Sequence, residues 1–229
     1  MVAEPFSLVA WAKPLILGAS QVLVSVALSG GASTNRHNLR ISAGGQFNAL
    51  SQFGGTFDLA TTSTALAVDV WGHGAAAFAA TNSRTCWLNG SGKGTNASNV
   101  VGITLNRTTV GASYVSPFRG QYADAVIGPG AIYRAAITDD EALLLGALRL
   151  HPHLVRPWDL VACWDLGEQG VDREPDYVGG YDLAITGAVA VDGPPGIIYP
   201  PAPDFVPWLL SQAGSPAAYY RLLQQHLGA

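Results

Sequence analysis

The sequence predicts an all-β fold in which two antiparallel sheets pack face to face as a sandwich. Short runs rich in apolar and β-branched residues recur between clusters of Gly, Ser, Asn and Thr, and few of them are separated by a helical pattern. Glycine pairs such as Gly30-Gly31 and Gly44-Gly45 mark turns between these runs. A chain of 229 residues is long enough for one large sandwich domain. Many short strands in succession are typical of two packed sheets.

The strands are expected where these runs lie. They are predicted at residues 6–12, 21–28, 37–43, 56–59, 65–70, 75–81, 85–88, 99–105, 108–111 and 120–127. The Gly-Ser-Gly-Lys-Gly run at 90–94 follows a hairpin signal and lacks the spacing of a phosphate-binding loop. We interpret it as a connecting loop.

One short helix is predicted after the main group of strands. Thr138 and Glu141 form a capping-box pattern before the apolar run Leu143 to Leu150. We expect this helix to pack across an edge of the sandwich. Pro152 ends it, and a further strand-rich stretch begins at Leu160. Residues 1–199 are therefore assigned to one sandwich.

Residues 200–229 are predicted to form an arm. Prolines make residues 200–207 an extended connector, and Ser215-Pro216 is a cap and first turn for a helix that stops at Gly228. Apolar and aromatic side chains on the arm are the candidate partner-binding residues, and docking in cis or in trans stays open. They are Trp208, Leu209, Leu210, Tyr219, Tyr220, Leu223 and Leu227.

Composition excludes several classes of function. Hydrophobic residues make up 48% of the chain and charged residues 12%, so we expect part of the surface to be covered. Lys and Arg total 12 against 16 Asp and Glu, which disfavours binding to nucleic acid. No run approaches the length of a membrane span, and no signal peptide is recognised. We expect a protein made in the cytoplasm, with Cys86 and Cys163 as free thiols.

Five motifs in order resemble a known family. They are Phe6 to Trp11 with Lys13-Pro14, Trp71-Gly72-His73, Trp87 to Gly90, Phe118 to Asp124, and Ile132 to Glu141. Together they are similar to laminin-G-like domains of the concanavalin A-like lectin/glucanase fold. The resemblance implies a jelly-roll sandwich over residues 6 to 150.

The order of the last strands resembles a narrower group. Leu160 to Leu166 and Tyr181 to Leu183 are similar to the strand pair that normally opens such domains, which indicates a circular permutation. This order, with Arg156-Pro157-Trp158 after the helix, is similar to laminin-G-like domains in structural proteins of tailed bacteriophages. The resemblance implies a virion protein, as capsid decoration or part of a tail fibre, with other virion proteins and its own copies as partners.

The sequence favours a protein without catalytic activity. A retaining glycosidase needs two carboxylates ~5 Å apart, and none of the four glutamates is paired with another carboxylate at strand spacing. His151 and His153 are interpreted as a loop pair, and His73 as a side chain that forms a hydrogen bond with a neighbouring strand. Neither cysteine has a histidine partner motif.

No cofactor is predicted, although calcium is the common ion of related folds. Asp58, Asp69 and Asp124 are the possible calcium ligands. They are scattered singly, and we interpret them as residues of turns and strand ends.

Two functions follow from these observations. The first is assembly of a phage-like particle, with the arm binding neighbours. The alternative is a carbohydrate-binding module that recognises a glycan through loops at one end of the sandwich. The alternative requires a convergent cluster of Asp or Asn with an exposed aromatic side chain. Trp158 and Trp208 are the aromatic residues expected to be exposed.

Overall fold

The computed structural model of the protein describes residues 4–29, 35–101, 105–115, 118–120, 122–167, 172–201 and 205–227. The strands are β1 Phe6–Pro14, β2 Gln21–Ala27, β3 Arg36–Ile41, β4 Gln46–Phe53, β5 Thr56–Ala65, β6 Gly72–Ala80, β7 Ser83–Leu88, β8 Ser91–Asn96, β9 Arg107–Val110, β10 Ser113–Val115, β11 Phe118–Gly120, β12 Ala125–Tyr133, β13 Leu160–Trp164, β14 Arg173–Glu174 and β15 Leu183–Ala184. The helices are α1 Asp139–Gly146, α2 Phe205–Gln212 and α3 Pro216–Leu227, with 3-10 turns at Pro152–Leu154 and Pro157–Asp159.

Two large antiparallel sheets form the sandwich. A six-stranded sheet has the order β13-β12-β1-β6-β7-β8, and a five-stranded sheet has the order β5-β4-β3-β2-β9. The pairs β10-β11 and β14-β15 form two small sheets of their own. The predicted all-β sandwich is confirmed.

The first core lies between the two sheets. On β3, His37, Leu39 and Ile41 point inward, because His37 contacts the rings of Phe6 and Phe78. The residues between them therefore face outward. The buried side chains of this core come from every strand of both large sheets except the edge strands β8 and β9.

A second core covers the outer face of the six-stranded sheet. Val9, Ala75, Ala77 and Ala131 lie on this face and pack against the helices. Small alanine side chains let the helices approach the sheet closely, and burial on both faces explains the continuous apolar pattern of β1 and β6. The helix α1 lies on this face, and not across an edge as the sequence suggested.

The beginning of α1 agrees with the sequence. Thr138 Oγ1 accepts a hydrogen bond from the amide of Glu141 at 3.2 Å, and Glu141 Oε2 accepts one from the amide of Thr138 at 2.9 Å. This is the predicted capping box. Ser215 likewise caps α3, because its hydroxyl accepts from the amide of Ala218 at 3.2 Å.

The arm docks on its own sandwich. Leu209, Tyr219 and Leu223 are buried in the second core. The Tyr219 hydroxyl donates to the Leu154 carbonyl at 3.1 Å, and the Tyr220 hydroxyl donates to Glu141 Oε1 at 3.1 Å. Three of the residues that the sequence predicted to bind a partner are thus part of the chain's own second core. Binding of a second molecule by the arm stays a prediction.

Part of the connector is helical. Residues 205–207, which the sequence predicted as extended, begin α2, and Trp208, Leu209 and Leu210 lie in the same helix. Pro207 is in the first turn, where a proline costs no helical hydrogen bond. Among the helices that the structure describes, none combines the length and the apolar character that a membrane span requires.

Several strand predictions were wrong. The strand β4 was not predicted, and residues 66–70 form a turn in which the amide of Leu66 bonds to the carbonyl of Gly45. Residues 99–101 are not in a strand. Residues 160–166 and 181–183 were expected to form a strand pair. Instead, β13 pairs with β12, and β14 pairs with β15. The turn at Gly30-Gly31, residues 102–104 and the helix stop at Gly228 lie outside the described residues.

The Gly-Ser-Gly-Lys-Gly run is a strand and not a loop. Its residues 91–94 belong to β8, which closes one side of the sandwich against β5. A Cβ atom at Gly94 would lie 1.8 Å from the Thr61 carbonyl oxygen, and one at Gly92 would lie 2.2 Å from the Thr64 hydroxyl. The glycines are needed because the two strands approach closely.

Candidate functional site

The opposite side of the sandwich is open. The edge strands β9 and β13 lie on this side, and a cleft of about 380 Å³ separates the two sheets there. Its floor is apolar and belongs to the first core. The floor side chains are Val26, Leu105, Ile132, Ala162 and Trp164. We call this concavity the open-side cleft.

The rim of the open-side cleft is polar, and its groups are held in place. Arg134 donates to Asp159 Oδ1 at 3.1 Å and to the Trp158 carbonyl at 2.7 Å. Asn106 Oδ1 accepts from the amide of Ser29 at 2.7 Å. The remaining polar groups of the rim are Arg107, Thr108 and Asp182.

Tyr181 presents an exposed ring at this rim. Its side chain is 60% exposed. Its amide donates to Asp176 Oδ2 at 2.9 Å, and its carbonyl accepts from Trp164 Nε1 at 2.9 Å. The backbone of Tyr181 is therefore fixed on both sides at the mouth of the cleft, and its ring lies so close to Gly179 that a Cβ atom there would be 2.6 Å from the ring.

Asp176 organises the turn that carries Tyr181. Its carboxylate accepts hydrogen bonds from the amides of Cys163, Val178 and Gly179 as well as from that of Tyr181. A single carboxylate that satisfies several amides defines a tight turn. The turn is thereby fastened to β13, which lines the cleft.

This arrangement suits a small polyhydroxylated ligand. An apolar floor with a few fixed polar groups is the usual construction of a small-molecule site. An exposed aromatic ring offers an apolar face for stacking, and the rim offers both donors and acceptors. Asn106, Asp182 and Tyr181 line the same cleft, and they are of the residue types that the carbohydrate-binding alternative requires.

The aromatic residues that the sequence singled out lie elsewhere. Trp208 is 44% exposed, but it packs against His226 in the helical layer, with ring centroids 5.0 Å apart. Trp158 is half-buried and packs edge-on against Tyr219, with ring centroids 5.4 Å apart. The sequence assigned Tyr181 to a strand. The signal that could have found it is the turn Asp176 to Asp182, with two glycines before the tyrosine.

The candidate calcium ligands do not converge. Asp58 lies on β5 and accepts from Asn96 Nδ2 at 2.8 Å. At the other end of the sandwich, backbone bonds to Pro14 and Leu15 hold Asp69 and Asp124. Within the described ranges, no group of three or more His, Cys, Asp or Glu side chains could hold a metal ion.

His73 differs from its predicted role. Its ring is fully buried, and neither ring nitrogen has a hydrogen-bond partner among the described residues. Burial lowers the pKa of His73 to about 3. The hydrogen bond at this position is made by the backbone, because the His73 amide donates to Asn89 Oδ1 at 2.8 Å.

The structure brings a cysteine and a histidine together, which the sequence did not indicate. Cys163 Sγ lies 4.0 Å from His151 Nε2, and the same nitrogen lies 2.7 Å from Asp165 Oδ1. His151 Nδ1 accepts from the amide of His153 at 3.2 Å, so Nε2 carries the proton. Burial raises the pKa of the Cys163 thiol well above its usual value. This geometry favours an inert thiol beside a structural hydrogen bond.

The described glutamates lie at separate places in the fold. Glu141 binds Arg156 Nη1 at 3.1 Å, and Glu174 Oε1 accepts from the amide of Leu166 at 2.6 Å. Glu4 lies 3.9 Å from His37 Nε2 at the end of the first core, where burial raises the pKa of its carboxyl. Glu168 is outside the described residues.

Comparison with known proteins agrees with this architecture. The family model described as the concanavalin A-like lectin/glucanases superfamily matches residues 2–142. No curated protein sequence matches the chain.

Three solved structures illustrate the similarity. The Ruminococcus gnavus IT-sialidase CBM40, bound to α2,3 sialyllactose, is 16% identical with a TM-score of 0.50, over 63% of this chain and 84% of that chain. A putative carbohydrate binding protein from Bacteroides ovatus is 16% identical with a TM-score of 0.52, over 81% of this chain and 55% of that chain. The NanB sialidase of Streptococcus pneumoniae is 15% identical with a TM-score of 0.52, over 62% of this chain and 24% of that chain.

At these identities the solved structures support the fold alone. The family model, in contrast, matches more than half of the sequence and includes the strands β1 to β12. The chain belongs to the concanavalin A-like lectin/glucanases superfamily.

Proposed function

We propose that this protein is a non-catalytic carbohydrate-binding module that holds a sugar in the open-side cleft. The observation that carries the proposal is the ring of Tyr181, exposed at the rim and fixed through its backbone to Asp176 and Trp164. A sugar ring has an apolar face of C–H groups and an edge of hydroxyl groups. The cleft offers an aromatic face for the first and polar side chains for the second.

Preorganisation supports binding at this place. Tyr181 has few rotatable bonds, and its backbone is already fixed, so stacking a ligand on it orders little additional structure. Asn106 and Arg134 are also held by hydrogen bonds to other groups. The protein therefore loses little conformational entropy when it binds a ligand here.

The fold of similar proteins is consistent with this proposal. The Ruminococcus gnavus module was solved with a bound sialyllactose, and the Bacteroides ovatus protein is described as a putative carbohydrate binding protein. The ligand of neither protein is assigned to this chain, since each is only 16% identical in sequence. They favour the binding alternative over the virion role that the motif order suggested.

The absence of catalysis is part of the proposal. Glu141 is held by Arg156 and Tyr220 beneath the helical layer, and Glu174 serves a backbone amide. Both carboxylates have structural partners, which supports a binding role over hydrolysis. The location in a virion and the virion partners remain predictions, and none of the three solved structures above is a virion component.

The test compares two exposed tyrosines on a panel of immobilised oligosaccharides. We expect the full chain to bind at least one class of glycan and to release no reducing sugar from it. Tyr181→Ala should weaken binding at least tenfold, as expected when a stacking ring is lost. Tyr122→Ala is the matched control, because Tyr122 is 64% exposed but does not line the cleft.

Two results would overturn the proposal. One is failure of the full chain to bind any glycan of the panel. The other is equal affinity of the Tyr181→Ala and Tyr122→Ala variants.

A further inference from the structure

The outer face of the five-stranded sheet has a different character from the cleft. The register pairs Asn38 with Ser25 on β2 and with Leu50 on β4, and it pairs Arg40 with Asn48. Because His37 and Leu39 point into the first core, Asn38 and its neighbours on the same face point outward. We call the side chains Ser25, Arg36, Asn38, Arg40 and Asn48 the polar face.

Two side chains at the centre of the polar face are buried without partners. Asn38 and Ser25 are both 0% exposed. Neither the oxygen nor the nitrogen of the Asn38 amide bonds to another group among the described residues, and the same holds for the Ser25 hydroxyl. Buried polar groups normally have a hydrogen-bond partner, so the lack of partners at Asn38 and Ser25 among the described residues needs an explanation. The unused groups comprise both donors and acceptors.

Two arginines flank these groups. Arg36 donates to Gln52 Oε1 at 3.1 Å and to the Ser113 hydroxyl at 2.7 Å, and Arg40 donates to Asn48 Oδ1 at 3.2 Å. All three acceptors are neutral. Burial lowers the pKa of both arginines, and in the case of Arg36 the charge of Arg40 adds to the effect.

Among the described strands of this sheet, none places a carboxylate on the polar face to balance them. Asp58 is the only Asp or Glu in the five strands of this sheet. It lies on the opposite face, since it pairs with Ser51, which contacts His37 and Arg84 in the first core. Positive charge that is withdrawn from water without a carboxylate favours an anionic ligand.

We propose that the polar face is a second binding site, separate from the open-side cleft, for a sugar acid. The carboxylate of the ligand lies between Arg36 and Arg40, which bind carboxylates through planar forks of donors. Its hydroxyl groups use the unpartnered amide of Asn38 and the hydroxyl of Ser25. A neutral sugar would leave the arginines unbalanced, and a bare anion would leave Asn38 unpaired.

Access to the polar face requires movement of β10, which lies against β2 on this side. Its strand partner is β11, and this pair forms no ladder with either large sheet. The hydrogen bond from Arg36 to Ser113 joins β10 to the polar face. The ligand carboxylate replaces the Ser113 hydroxyl at Arg36, so a weaker acceptor gives way to a stronger one.

The experiment titrates the full ¹⁵N-labelled chain with D-glucuronate, D-glucose and sodium sulfate in turn. The signals followed are the side-chain amide of Asn38 and the Nε–H of Arg36. We expect glucuronate to shift both signals and to saturate at a concentration at least tenfold below that of glucose or sulfate. Glucose tests the need for charge, and sulfate tests the need for hydroxyl groups.

Variants distinguish this site from the cleft. Arg40→Gln should weaken glucuronate binding at least tenfold, whereas Arg221→Gln on the exposed surface of α3 should not change it. Tyr181→Ala should also leave the glucuronate response unchanged, so failure of one site does not imply failure of the other.

Three outcomes would overturn the proposal. Equal responses to glucuronate and glucose would exclude recognition of the charge. Equal responses to glucuronate and sulfate would indicate an adventitious ion only. Static Asn38 signals with all three compounds would exclude the polar face as a site.

Discussion

The outer faces of the two large sheets are both buried, but they are covered in different ways. On the six-stranded sheet, small apolar residues such as Ala75 and Ala131 pack under three helices. On the five-stranded sheet, Asn38 and Ser25 lie at the centre of a polar face. Burial alone therefore does not distinguish a structural surface from a functional one.

The distinction lies in whether the covered polar groups are satisfied. In the helical layer, the hydroxyl of Tyr219 has the Leu154 carbonyl, and that of Tyr220 has Glu141. On the polar face, the Asn38 amide has no partner among the described residues. A satisfied network stabilises one native packing, whereas we assign the unsatisfied groups between Arg36 and Arg40 to ligand binding.

The strongest test of the helical layer is Leu209→Ala. Leu209 is fully buried in the second core, and truncating such a side chain leaves a cavity. We expect a loss of about 2–5 kcal/mol in the free energy of unfolding, measured by urea denaturation. The control is Leu210→Ala at the half-buried neighbouring position, which should cost less. Equal costs would mean that α2 does not dock as described.

The polar contacts of the helical layer are tested by Tyr220→Phe. The Tyr220 hydroxyl donates to Glu141 and accepts from the amide of Arg156 at 3.1 Å. Its removal leaves both groups short of a partner, which should cost about 1–3 kcal/mol in the free energy of unfolding. Tyr122→Phe, at an exposed ring, should be nearly neutral. A neutral Tyr220→Phe variant would show that the hydroxyl does not hold α3 in place.

Within the described part of the chain, the buried ring of His73 on the outer face of the six-stranded sheet has no hydrogen-bond partner, and this gives the stability a pH dependence. Its folded pKa of about 3 lies below the unfolded value of 6.5, so the unfolded chain binds the proton first as the pH falls. Stability is thus complete above pH 6.5 and is lost progressively toward pH 3. At pH 5 the loss from His73 amounts to about 2 kcal/mol.

The measurement is urea denaturation of the wild type and His73→Leu at pH 7.5 and pH 5.0. The variant keeps His37, whose pKa is also lowered to about 3 by burial, so only the share of His73 should disappear. Identical pH dependence in the two proteins would contradict the assignment.

The smallest expected effect is a gain in stability on the polar face. Asn38→Leu replaces a buried, unpartnered amide by an apolar group of similar size, which should raise the free energy of unfolding by about 1 kcal/mol. The same variant should lose glucuronate binding. Asn48→Leu is the matched control, because Asn48 has hydrogen bonds to Arg40 and Thr61 and should be destabilised. A destabilised Asn38→Leu protein would place the amide among the structural groups.

Features with a local cause could be predicted from the sequence. The capping box of Thr138 and Glu141 and the cap at Ser215 were predicted correctly, because the residues that form them are a few positions apart. Most of the strands were also predicted, since runs of apolar and β-branched residues between turn residues mark them locally.

Features with a distant cause could not be predicted. The glycines of β8 resemble those of a loop, and only the approach of Thr61 explains them. The register that sets Asn38 beside Ser25 joins two strands, and the helical layer depends on packing between the ends of the chain. Tyr181 is held by backbone hydrogen bonds with the side chains of Trp164 and Asp176, and these contacts exist only in the folded chain.

The central claim is that ligands bind away from the helical layer, and two indole signals test it most directly. Trp164 Nε1 donates to the Tyr181 carbonyl at the open-side cleft, whereas Trp87 Nε1 donates to Asp139 of α1 at 2.9 Å. In a ¹⁵N spectrum of the full chain titrated with the strongest sugar of the oligosaccharide panel, the account predicts that the Trp164 indole signal shifts and the Trp87 signal does not. A shift at Trp87 with an unchanged Trp164 signal would contradict it.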